Sequence, residues 1–259
     1  MTITTAEAMA WIGAFFWPFM RVGAMMLAAP AIGDARISVR LRLILAVAIT
    51  VGVLPAVGDV PAVEPLSAEG LIISVQQVII GLAMGLILAL AVQTLSIAGE
   101  SVALSMGLGF ANMVDPVTGQ STPVVSQFLL IIGTLLFITV GAHLMLIELV
   151  AASFQTLPVG MEGLVEQDFR RVAGWGAQMY AGGVLIALPA VVLLLTVYLS
   201  LGVMTRAAPQ MNIFSVGFPI TMLVGFIALM TLVVPSIPGR VATIWSEAFE
   251  TIGILVGAQ

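Results

Sequence analysis

One histidine and no cysteine in 259 residues leave this chain without the side chains that most often build metal centres or thiol nucleophiles. His143, in GAHLML, has no second histidine at ligand spacing, no serine stands in a nucleophile and base arrangement, and no glycine loop has the spacing of a phosphate cradle. The side chains that stand out are charges set in apolar surroundings: Arg21, Glu100 and Glu148. A charge in an apolar helix costs a few kcal/mol unless it is paired, hydrogen-bonded or able to snorkel. Arg21 is therefore expected to face protein or water, with Glu100 and Glu148 as candidate partners on charge grounds. His143 reads as a hydrogen-bonded helix residue in preference to a proton relay. The chemistry expected is that of a non-enzyme, with no cofactor and no metal.

The elements that must position these residues are apolar. The hydrophobic fraction is 61%, the charged fraction 8% and the mean hydropathy +1.19, against about a quarter charged residues in an ordinary soluble domain. All eight basic residues are arginines, against 13 acids, for a net charge of −5, a balance that argues against nucleic-acid binding. The first positive side chain, Arg21, falls inside the first apolar run rather than before it, so that run is expected to be retained rather than cleaved as a signal peptide.

Apolar blocks near residues 8–31, 39–57, 70–98, 124–154, 174–204 and 216–235 are too long for buried strands and lack period-2 alternation, which predicts an all-α, membrane-type protein with six helical blocks. Polar connections are expected at 58–69 and 155–173. A tail at 240–257 sets Val241, Trp245, Phe249, Ile252 and Val256 opposite Glu247 and Glu250, which predicts an amphipathic helix lying on a partner or interface. Arg36, Arg40 and Arg42 on the first connection favour its placement in the cytoplasm, but Arg170, Arg171 and Arg240 nearly balance the count. Gly81 and Gly85 form a small-xxx-small pair suited to close helix packing.

Two stretches break the apolar pattern. GESVALSMGLGFANMVDPVTGQSTP, from Gly99 to Pro123, is too polar for a span and too apolar for a solvated loop. Gly107 and Gly109 permit close backbone approach and Phe110 and Met113 supply bulk, so the stretch is either a re-entrant, plug-like element or a packed surface loop. RAAPQMNIFSVGFP, from Arg206 to Pro219, ends one helix and starts another. Arg206, Gln210 and Asn212 can hydrogen-bond the freed backbone or a partner chain; the plainer alternative is a simple connection.

Four stretches carry a resemblance to a known family: RVGAMMLAAPAIGDARISVRLRLILAVAIT (Arg21 to Thr50), AGESVALSMGLGFANMVDP (Ala98 to Pro116), GAHLMLIELVAASFQTLPVG (Gly141 to Gly160) and RAAPQMNIFSVGFPI (Arg206 to Ile220). The chain resembles the FliR proteins of the flagellar type III secretion export gate. The last stretch is the most specific, since Pro209, Gln210, Asn212 and Phe214 followed by Gly217 and Pro219 do not make a generic transmembrane pattern.

The resemblance implies a single export-gate domain over 1–259, with a FliP-like N-terminal portion, a FliQ-like C-terminal portion and a boundary near 160–175. It implies assembly with FliP-like and FliQ-like subunits into a ring through which unfolded flagellar proteins leave the cell. It also implies contact with an FlhB-like switch protein and a place in the bacterial inner membrane, in the flagellar basal body. In the family the region matching 107–122 plugs the channel, which makes Gly107, Gly109, Phe110 and Met113 the candidate plug residues. Arg206, Pro209, Gln210, Asn212, Phe214, Gly217 and Pro219 become candidate assembly or helix-break residues. Family members bury apolar blocks against sister subunits, which accounts for the untidy arginine count. The GFPIT ending near Thr221 looks flagellar rather than injectisome-like. A small-molecule or proton-coupled transporter, a purely structural ring subunit and an injectisome homologue are the alternatives.

Overall fold

The computed structural model describes residues 5–30, 32–33, 37–108, 124–208 and 213–258. Among them there is no strand, and the helices are α1 (Thr5–Ala28), α2 (Val39–Val53), α3 (Ala68–Ser105), α4 (Val124–Thr139), α5 (Ala142–Thr156), α6 (Glu166–Ala207), α7 (Ile213–Ala228) and α8 (Ile237–Val256). The all-α expectation holds, and the block count needs adjusting. Block 124–154 is a bent pair, α4 and α5, because Gly141 takes the left-handed conformation at φ 78° and no straight helix passes through it. Toward the C-terminus, a π turn (Leu229–Val233) and a 3-10 turn (Val234–Ser236) carry α7 into α8 without a loop. Among the described residues, four helical stretches are long and apolar enough to cross a membrane, or five with the bent pair counted as one.

Local chemistry sets the helix ends. The Ser38 side chain accepts from the Leu41 amide at the start of α2, and Ser67 accepts from Gly70 at the start of α3. The Val165 amide donates to the Asp168 carboxylate before α6, the reciprocal half of a capping box. Arg40 and Arg42 lie in the opening turns of α2, not on the connection where the charge count had placed them.

The chain forms two compact units. Unit 1 comprises Met1–Ala91, Phe137–Gly176 and Trp245–Gln259. Its core holds Trp17, Met25, Met26, Ile80, Met84 and Ile87. A Cβ on Gly81 would strike the Arg21 carbonyl oxygen, and one on Gly85 would meet the Met25 carbonyl at 2.5 Å, so the small pair lets α1 and α3 pack backbone to backbone. Within this unit the end of α8 packs on the chain itself: Trp245 meets Phe137 edge to face at 5.4 Å, and Gly257 lies against Thr156. The amphipathic reading of the tail is correct, with Phe249, Ile252 and Val256 buried and Glu247 and Glu250 exposed. Its apolar face is nevertheless covered by the chain's own helices rather than by a partner.

Unit 2 comprises Val92–Leu136 and Ala177–Ile244. The C-terminal part of α3 runs through it, with Leu95, Ala98, Val102, Ala103 and Met106 buried. Residues 99–105, expected to lie outside any helix, continue α3. Their serines bond back into the helix, Ser101 Oγ to the Ile97 carbonyl and Ser105 Oγ to the Ser101 carbonyl, both at 2.8 Å, so polarity there does not demand a loop.

Candidate functional site

The end of α3 is built as a stop. Gly107 has φ 83°; its amide donates to the Leu104 carbonyl (3.0 Å), and the Leu108 amide donates to the Ala103 carbonyl (3.0 Å). These are the two bonds of a Schellman motif, with glycine at the left-handed position that a side chain would strain. Gly107, the first of the candidate plug residues, is thus the helix terminator that launches the segment. Gly109, Phe110 and Met113 lie outside the described residues.

The stop is docked on one face of α7. Thr221, buried, donates from Oγ1 to the Met106 carbonyl (3.4 Å) and to the Phe218 carbonyl (3.0 Å). Met106, fully buried, lays its side chain over Gly225, whose missing Cβ leaves the room it needs. The Phe218 ring and the Tyr198 hydroxyl approach the position a Gly107 Cβ would take, at 3.6 and 3.7 Å.

The return limb is anchored by the same means. A Cβ on Gly99 would strike Ser126 Cα, and one on Gly133 would strike the Leu95 side chain, which sets α3 and α4 antiparallel with 99 beside 126 and 95 beside 133. Gly183 of α6 meets Thr94 and Ile97 of α3 in the same way. The end of α3 and the start of α4, on either side of residues 109–123, therefore form a stem held by glycine contacts on α4, α6 and α7.

A second site lies in unit 1. Arg21 is fully buried, and its guanidinium donates from Nε to Gln77 Oε1 (2.8 Å), from Nη1 to the Ser153 carbonyl (2.9 Å) and Ser153 Oγ (3.0 Å), and from Nη2 to the Leu157 carbonyl (2.9 Å). Its Cζ sits 4.2 Å from the centre of the Phe154 ring. The cation thus caps the C-terminal end of α5, where it takes the Leu157 carbonyl, shares the Ser153 carbonyl with the Leu157 amide and meets the negative end of the helix dipole. One side chain ties α1, α3 and α5 together.

This corrects the expected pairing. Glu148 is exposed and Glu100 half-buried, while Arg21 takes neutral acceptors and an aromatic face, because helix-end carbonyls supply aligned partial charge without the desolvation of a carboxylate. Gln77, Ser153, Phe154 and Leu157 were missed. The available signal was the polar Gln77 and Ser153 inside apolar helices. His143 is half-buried and its Nδ1 has no hydrogen-bond partner among the described residues, contrary to expectation.

The second sequence break is placed in part. Arg206 is exposed in the last turn of α6, and Gly217 is buried in α7. Pro219 sits inside α7 and does not break it. Pro209, Gln210, Asn212 and the Phe214 side chain lie outside the described residues.

Residues 12–248 match the model of the family described as Bacterial export proteins, family 1. Over 252 residues the chain is 38% identical to a flagellar biosynthetic protein FliR of Pectobacterium carotovorum subsp. carotovorum, covering 97% of this chain and 96% of the relative. The chain belongs to the FliR family. The Escherichia coli (strain K12) FliR is 36% identical over 258 residues, 99% of this chain and 97% of that one, and the Bacillus subtilis (strain 168) FliR 28% identical over 252 residues, 95% and 96%. As a FliR-family chain with several long apolar helices, it is a membrane-embedded flagellar component of the export apparatus.

Proposed function

We propose that this chain forms, with FliP-like and FliQ-like subunits, the protein-conducting channel of the flagellar type III export gate in the bacterial inner membrane. It contacts an FlhB-like switch protein, and its segment 107–122 closes the resting pore against water and ions. The observation that carries the gate reading is similarity to FliR proteins along almost the entire chain. The flagellar names of these relatives favour flagellar over injectisome export. In this reading the chain moves unfolded proteins without catalysing a reaction, and the energy comes from other components and the proton motive force.

The plug draws support from the stem. A glycine-terminated helix and a tightly held stem anchor both ends of the segment, an arrangement suited to a plug that closes a wide path with apolar bulk and yields when a chain is pushed through. A FliP-like and FliQ-like division near 160–175 would fall across the end of the coil before α6 and the first turns of α6.

Deleting 109–114 leaves the Gly107 stop in place. We expect the variant to co-purify with FliP-like and FliQ-like partners and to pass ions across reconstituted bilayers at rest. Unchanged conductance in an assembled complex removes the plug assignment. A wild-type chain that never associates with those partners removes the gate reading itself.

A further inference from the structure

In unit 2 the chain is not wound evenly from α7 into α8. The Val234 amide donates to the Leu229 carbonyl, five residues back, and the Ile237 amide donates to the Val234 carbonyl, three residues back. Pro235 lies between these two bonds. It has no N–H, and in α winding its ring would strike the carbonyl four residues before it, that of Thr231. Pro238 differs, because it falls in the opening turn of α8, where an N–H has no helical partner in any case. Hydroxyls serve the carbonyls near the break: Thr231 Oγ1 donates to the Ile227 carbonyl (2.7 Å) and Ser236 Oγ to the Val233 carbonyl (2.8 Å). A π turn holds about one residue more than an α turn, so Pro235 leaves one surplus residue within Leu229–Val233.

That residue decides which side of α7 meets α3. The near end of α8 is fixed on α6, where Ile244 lies 3.2 Å from the place of a Gly182 Cβ. On α7 the buried face is Gly217, Thr221, Gly225 and Leu229, every fourth residue, with Phe226 exposed beside it. Winding the turn as α-helix would turn α7 by one residue, about 100°. Phe226 would then stand where Gly225 does, and Met222 where Thr221 does. Met106 needs the empty side of Gly225, and its carbonyl needs the Thr221 hydroxyl. Neither replacement supplies them.

We propose that Pro235 is a positioning residue: through the π turn it imposes, it holds the Thr221 and Gly225 face of α7 on the end of α3. The contacts involved lie wholly in unit 2. Only the consequence, that winding sets the root of segment 107–122, rests on the plug reading.

The chain has no cysteine of its own, so introduced pairs report single contacts. Met106→Cys with Gly225→Cys probes the docked face, since a Cβ at 225 would fall on the Met106 side chain, 2.9 Å from its Sδ. Leu95→Cys with Gly133→Cys is the control on the same helix, with Cβ positions 3.9 Å apart, a disulfide distance. Each pair is oxidised in the purified full-length chain, and the disulfide is counted by intact mass after free thiols are alkylated. Both pairs should close in the wild-type background. Pro235→Ala permits α winding and should slow closure of the 106/225 pair about tenfold or more while leaving the 95/133 pair unchanged. Deleting Thr231, an exposed residue of the turn, from the Pro235→Ala chain removes the surplus and should restore the 106/225 pair. Unchanged closure in Pro235→Ala overturns the proposal, because packing alone would then hold the face. So does a wild-type 106/225 pair that does not close. Equal loss at both pairs, or a loss that the deletion does not reverse, overturns it too, since Pro235 would then support the fold in general and not the winding.

Discussion

Both units use glycine contacts between helices, Gly81 and Gly85 serving in unit 1, but among the described residues only unit 1 adds a buried guanidinium. In unit 1 a buried guanidinium gathers α1, α3 and α5 through directed bonds to Gln77, Ser153 and Leu157. In unit 2 the α3 stem is held by absences: Gly99, Gly133, Gly183 and Gly225 each leave out a Cβ where a neighbour's backbone or side chain stands. An apolar chain among lipids or apolar subunits gains little from hiding hydrophobic surface, so specificity must come from hydrogen bonds or from close packing. The polar clamp fixes geometry through a few strong contacts. The glycine stem spreads its hold over many weak ones beside residues 109–123, the segment that the proposed plug reading requires to yield.

The contrast is broken most severely at Arg21. Arg21→Met is close in length but leaves the Leu157 carbonyl and Gln77 Oε1 without the guanidinium donor, while the Ser153 carbonyl keeps only the Leu157 amide, and the loss should reach about 3 kcal/mol or more. Arg21→Lys retains the charge without the planar fork and should fall between the two. Denaturant unfolding of the purified chain, followed by the fluorescence of Trp17 and the other tryptophans, measures both. If Met is as stable as wild type, the cation is incidental and the polar half of the comparison fails.

The stem predicts a smaller, position-specific effect. Gly99→Ala puts a methyl group into Ser126, and repacking should cost about 1–3 kcal/mol, partly offset by the better helix propensity of alanine. Gly202→Ala, also on a helix of unit 2 but with open space around it, should be neutral or stabilising by about 0.4–1 kcal/mol. Equal responses at the two positions would show that glycine serves here only as a flexible residue. Thermal unfolding of the two single variants separates these outcomes.

Much of this contrast was legible beforehand. Gly81 and Gly85 announced a close helix pair by their spacing, Gly107 a special backbone position, and Arg21 a buried charge that had to be met. The partners of Arg21 were hidden because they are mostly main-chain carbonyls, which a search for opposite charge passes over. The extension of α3 through 99–105 was hidden because serine polarity resembles a loop until the hydroxyls are seen bonded to their own helix. The break at Gly141 was hidden because a glycine in an apolar run is ordinary, and only its positive φ tells it from Gly133, which stays helical. The joining of α7 to α8 through a π turn had no residue signal, since prolines of the kind found at Pro235 and Pro238 more often end helices than carry one into the next.

The finest test lies where the stem meets residues 109–123. Thr221 holds the Met106 carbonyl through one long hydrogen bond, and Thr221→Val keeps the shape while removing it. The stability cost should be about 0.5–1.5 kcal/mol, at the lower end given the 3.4 Å separation. Its interest is that stability and closure need not change together. Arg21→Lys, in the clamped unit, should weaken the fold with no effect on resting conductance of whatever complex still assembles. Thr221→Val loosens the root of that segment itself, so the assembled complex should leak more ions than the Arg21→Lys complex despite unfolding at a higher temperature. Were leak to follow stability across both variants, the two units would differ in how they are fastened and in nothing more, and the division between a polar clamp and a glycine stem would have no part in closing the pore.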